Sequence, residues 1–183
     1  MTSILKVSTI QNTAGTAPTA GDLGLNVTGS VLQVLSTTKT DVFTSTSTTN
    51  VDITGLSVTI TPKSATSKIF IMLNAHVVGN DAGTGLQLLR GSTEIAKADT
   101  SGSRSSFTAI GMYSNAASPN NYDGGSTNAS FLDSPATTSA TTYKVQGRTL
   151  SSSGFKVNGS RYDVDNGNAS RGVSTITVME IAG

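Results

Sequence analysis

Apolar residues in this chain recur with a period of two, in short runs cut off by Ser, Thr, Asn, Gly and Pro, and no stretch beyond a turn or two keeps a helical period. A side chain that changes environment at every step belongs to a strand with one buried face. Leu56, Val58 and Ile60 alternate with Ser57, Thr59 and Thr61, and Pro62 closes the run. Thr142–Gln146 repeats the pattern, and Ser174–Ile181 makes a strong final strand. Lys68–Val78 is almost continuously apolar, which predicts a central strand covered on both faces. Leu86–Arg90 and Glu94–Ala98 flank Gly91-Ser92-Thr93, the pattern of a hairpin.

Val31–Leu35, Phe107–Tyr113, Ser130–Asp133 and Phe155–Val157 add further short strands. The total is roughly ten, with turn signals about every 8–15 residues, which predicts an all-β chain folded as an antiparallel β-sandwich or jelly roll. Polar loops are expected at Gly79–Gly85, Asn115–Asn128 and Asp163–Gly172. Ser and Thr make up roughly 30% of the 183 residues, charged residues only 13%, and the net charge is +1. Disorder combines low hydrophobicity with high net charge, so this composition is not of that kind. Residues 30–183 are enough for one domain with a real core.

Residues 1–29 read differently. Ile4, Leu5, Val7 and Ile10 form a short apolar patch followed by turn-rich sequence. Such a segment cannot make its own core and is expected to dock on a larger assembly. Met1–Val7 lacks the long apolar stretch and cleavage pattern of a signal peptide. The longest apolar run, Ile69–Leu73, is far short of a membrane span, so no membrane insertion is expected. Lys and Arg do not cluster, which argues against capture of nucleic acid. There is no cysteine, hence no disulfide or thiolate chemistry.

The residues that carry chemistry are sparse. His76 is the one histidine, set among apolar strand neighbours, and reads as structural. One His without Cys makes no ordinary zinc site and no Cys-based nucleophile. Asp163-Val164-Asp165-Asn166-Gly167-Asn168 invites a calcium reading. It fails the EF-hand pattern, because Gly167 stands where an oxygen ligand belongs and Ser174 where the bidentate Glu belongs. The eleven acidic residues include no pair that the sequence marks as an acid and base for glycoside hydrolysis. No cofactor, metal or catalytic residue is assigned. Tyr113, Tyr122, Tyr143 and Tyr162 read as exposed aromatics able to stack on sugar rings. The candidate receptor or glycan contacts are Asn120, Asn121, Tyr122 and Asp123 in one loop, and Arg161, Tyr162, Asp163 and Asp165 in another.

The order of several simple motifs carries a resemblance. Ser3-Ile4-Leu5-Lys6-Val7-Ser8-Thr9-Ile10-Gln11-Asn12-Thr13 resembles a leader on fibre and other virion proteins of marine bacteriophages. Val31–Val34, Ser36–Asp41 and Ile53–Val58 look like the first strands of their fibre domains. Leu89–Thr93, Phe131–Pro135 and Thr175–Ile181 match the same set. The resemblance implies a trimeric jelly roll like those of C1q and tumour necrosis factor. It further implies a structural component of a phage virion, a short homotrimeric fibre or decoration protein exposed on the particle. Ile4, Leu5, Val7 and Ile10 would attach it to other virion proteins. The alternative, drawn from the loop residues above, is a glycan-binding receptor-recognition module of a tail fibre.

Overall fold

The structure, a computed structural model, describes residues 9–11, 14–18, 28–80, 83–114, 122 and 124–183. Among these there is no helix. Twelve strands follow one another: β1 Val31–Lys39, β2 Phe43–Ser45, β3 Val51–Ile60, β4 Lys68–Asn80, β5 Thr84–Arg90, β6 Thr93–Ile95, β7 Ala109–Ile110, β8 Met112–Ser114, β9 Gly125–Asp133, β10 Thr141–Thr149, β11 Phe155–Val157 and β12 Ser174–Ile181. They form two sheets packed face to face. The larger runs β1-β12-β4-β11-β2, with β8 and β9 also on β4; the smaller runs β3-β10-β5-β6, with β7 also on β5. Every pair is antiparallel except the short β4/β8 pair. The expected β-sandwich is the architecture found.

β4 organises the larger sheet. Its thirteen residues extend over about 40 Å at about 3.3 Å each. β12 and then β11 occupy one edge, while β9 and then β8 occupy the other. The inner face of β4 contributes Ile69, Ile71, Leu73, Ala75 and Val77, joined by Phe155, Val157, Ile176 and Val178 from the same sheet. Ile53, Leu56, Val58, Ile60, Leu86, Leu88, Tyr143 and Val145 face them from the smaller sheet. A large apolar side chain fully buried there contributes about 1.5–3 kcal/mol. The alternation in β3 slips once: Ile53 and Leu56 are both buried although three residues apart. Gly55, at φ +82°, lies in the bulge where the register against β10 shifts by three residues.

Three expectations need correction. β4 is buried on one face only over its first half, where Phe70, Met72 and Asn74 point outward with Met72 exposed; toward its end Val77 and Val78 are both fully buried. The apolar run arises because the outer face of this strand is itself greasy. The loop placed at Asn115–Asn128 ends earlier, since β9 begins at Gly125 and runs nine residues. Its inward Thr127 and Ala129 are small, so no alternation of large apolar residues announced it. Tyr143 is fully buried rather than displayed on the surface.

Candidate functional site

The sandwich has two unlike ends. At one, β4 finishes at Asn80, paired with Ser114 of β8. β9 starts there opposite Val77, and β12 starts close by, with Thr175 opposite Asn74. Leu150 donates its amide to Gly83 O at 2.9 Å at the same end. The ends of β4 and β8 and the starts of β5, β9 and β12 therefore share one end. At the other end the chain enters the domain. Gly29 N donates to Ala182 O at 2.7 Å, Ala182 N donates to Ser30 O at 2.8 Å, and Thr66 Oγ1 donates to Gly183 O at 3.1 Å.

Asn158 is the post on which the loop end is built. It is fully buried and adopts φ +65°, a left-handed conformation that Asn tolerates better than most residues. Its Nδ2 donates to Lys39 O at 2.8 Å and to Asp41 O at 3.1 Å. Its Oδ1 accepts from Ser174 Oγ at 2.6 Å. Its amide donates to His76 O, and its carbonyl accepts from Gly172 N. Ser174 Oγ in turn accepts from His76 N at 3.0 Å. The His76 ring lies between two loop backbones. A Cβ on Gly124 would stand 2.3 Å from its Nε2, and one on Gly172 would stand 2.7 Å from its Cγ. The half-buried imidazole thus spaces the segment before β9 from the segment before β12, and burial pushes its pKa below the ordinary value.

The candidate contact residues fall into distinct settings. Asn120, Asn121 and Asp123 lie outside the described residues, as do Ile4, Leu5 and Val7. Ile10 is exposed and Tyr122 half-buried. Arg161 is buried; its guanidinium donates to Ser114 O and stacks over the Tyr162 ring at 5.3 Å. It therefore works inside the fold, tying the loop after β11 to the end of β8. Lys156 Nζ donates to the Arg161 carbonyl, and burial depresses its pKa against the opposing pull of Asp163. Tyr162 keeps an exposed edge, Tyr113 is exposed, and Asp165 is exposed. Asp163 faces Arg171, with Nε–Oδ1 at 3.3 Å. That guanidinium stands where a calcium ligand set would need further oxygens. Among the described residues no group of three or more His, Asp or Glu side chains converges on a point.

Sequence reasoning missed the outer face of the larger sheet. The register aligns Val34, Met179, Phe70 and Leu132 across four strands. Beside that row run Ser36, Thr177, Met72 and Ser130, then Thr38, Thr175, Asn74 and Asn128. None of these side chains is charged. Val34, Leu132 and Met72 are 52%, 53% and 37% exposed. A shallow depression of about 440 Å³ opens there between Met72, Asn128 and Thr177. The signal available was the surplus of apolar residues in Lys68–Val78, which one core face cannot use.

Comparison with known proteins adds no relative: no protein-family model matches the chain, and no curated protein matches it. Among the described residues no helix is long and apolar enough to cross a membrane.

Proposed function

We propose that this chain is a non-enzymatic structural component of a phage virion, a homotrimeric fibre or decoration subunit built on a jelly roll. The observation that carries the reading is the set of three uncharged, partly apolar rows on the outer face of the larger sheet. Covering Val34, Phe70, Met72, Leu132 and Met179 with copies of the same face removes apolar area from water at roughly 25 cal/mol per Å². A closed symmetric assembly satisfies such a face without leaving a sticky remainder. The motif resemblance of the first thirteen residues to virion leaders supports attachment through Ile4, Leu5, Val7 and Ile10. Light scattering tests the assembly. The full chain is expected to run as a trimer in both low and high salt, and Met72→Asp with Leu132→Asp to run as a monomer. A wild-type monomer, or dissociation by salt alone, overturns it.

A second reading, recognition of a host glycan, rests on the polarity of the sandwich. The chain enters at Gly29, while the starts of β5, β9 and β12 and Tyr113 and Tyr162 gather at the far end of β4. A subunit held by residues 1–29 would present that end outward.

A further inference from the structure

The loop end holds a second concavity, on the side of the smaller sheet and away from the face assigned to assembly. It is a cleft of about 460 Å³, within the size range of small-ligand sites. Phe107, Ile110 and Leu150 form its apolar wall. Ile110 is 72% exposed and Leu150 51%, so the wall is open to a ligand from solvent. Ser103 and Ser105 supply hydroxyls at the rim. Thr84 also lines the cleft; its side chain is fully buried, and its hydroxyl has no hydrogen-bond partner among the described residues. Buried polar groups are nearly always satisfied, and this one has room for a further partner on the cleft side.

The charge of the cleft is one-sided. Arg104 is the charged residue that lines it, exposed and held by a 2.8 Å bond from NH1 to Ser101 Oγ. Arg148 stacks over Phe107 at 4.9 Å, adding a second guanidinium close by. Among the described residues no carboxylate lines the site.

The walls are fixed before anything binds. Phe107 lies over Gly85, where a Cβ would stand 2.1 Å from its ring. Thr108 N bonds Leu86 O, Gly111 N bonds Thr84 O and Leu150 N bonds Gly83 O, all at 2.8–2.9 Å. Thr108 Oγ1 also accepts from Leu88 N at 2.9 Å. A pre-organised wall loses little ordering entropy on binding.

We infer that this cleft binds an acidic saccharide, a single sugar ring bearing a carboxylate. The apolar wall suits the C–H face of the ring, the hydroxyls of Thr84, Ser103 and Ser105 suit its hydroxyl groups, and Arg104 suits the carboxylate through a charge-assisted bond. This rests on the second reading above, that the loop end meets glycan, and it places the contact outside the loops around Tyr122 and Tyr162.

Titration calorimetry on the full chain tests it, with galacturonic acid and N-acetylneuraminic acid as probes and galactose and acetate as controls. At least one acidic sugar is expected to bind about tenfold more tightly than galactose or acetate, and Arg104→Gln to erase that margin while the circular dichroism spectrum stays unchanged. Leu150→Asp is expected to abolish binding of the acid. Equal affinity for galactose, or for acetate, overturns the inference, as does binding indifferent to Arg104→Gln. Saccharide binding lost in Tyr162→Ala but kept in Arg104→Gln overturns the cleft and leaves the glycan reading standing. No binding by any of the sugars overturns the cleft, and silence on a broad glycan array as well overturns the glycan reading.

Discussion

Tyr143 Oη donates to Asp133 Oδ2 at 2.7 Å, and the bond crosses from the smaller sheet to the larger one. The same carboxylate receives Arg90 NH1 at 2.8 and 2.9 Å on its two oxygens. Burial pushes the Tyr143 phenol far above its ordinary pKa, and the Asp133 carboxylate pushes it further, so the hydroxyl stays a donor throughout the working pH range. Tyr143→Phe removes one donor from a buried carboxylate and leaves the ring packing intact. A loss of about 1–3 kcal/mol is expected in denaturant unfolding, with the far-ultraviolet spectrum unchanged. A neutral result would mean that Arg90 alone satisfies Asp133.

Acid should act in two separate windows. His76 is the chain's one histidine, and burial holds its folded pKa below the ordinary 6.5. As pH falls through about 6.5 the unfolded chain takes up a proton that the folded chain resists, so stability declines. His76→Phe should flatten that decline. Glu180 is fully buried. Burial raises its pKa, but hydrogen bonds, among them Gln33 Nε2 at 2.6 Å and the Lys63 amide at 2.7 Å, hold the net value below 4.5. Its contribution is complete above about pH 4.5 and disappears as pH falls through the lower folded value. Glu180→Gln should change only this second limb. Thermal melts from pH 8 to 3 check both, and a wild-type melting temperature that stays level from pH 6.5 to 5 would contradict the account of His76.

β12 lies between β1 and β4, with eight register pairs to the first and seven to the second. Its removal would strip the hydrogen bonds of two neighbours and take Ile176 and Val178 from the core. Deleting Thr175–Gly183 is expected to abolish soluble expression. A soluble, cooperatively folding truncation would show that β4 and β1 can re-pair without it.

The strands that could be read from sequence are those whose inward residues are large and branched: β3, β10 and β12 show it in Ile53 to Ile60, Tyr143 to Val145 and Ile176 to Val178. The first half of β9, before Ser130, hid because Thr127 and Ala129 carry little apolar bulk, and β2 because three residues show no period. Arg161 and Tyr143 read as surface groups because their partners, Ser114 and Asp133, are distant in sequence or on the opposite sheet. Asn158 gave no signal in the sequence, since nothing local reveals that Lys39, Asp41, His76 and Ser174 surround it. The cleft beside the smaller sheet draws Thr84, Arg104 and Leu150 from three separate segments, and only the fold brings them together.

Because the chain enters beside Ala182 and β1 then climbs toward the loop end, a pull transmitted between the two ends would run along the axis of β1. Antiparallel hydrogen bonds stand across that axis. The β1–β12 ladder would then be sheared with all its rungs sharing the load, instead of being peeled open one at a time. Such a geometry resists traction better than one in which the same bonds open in succession.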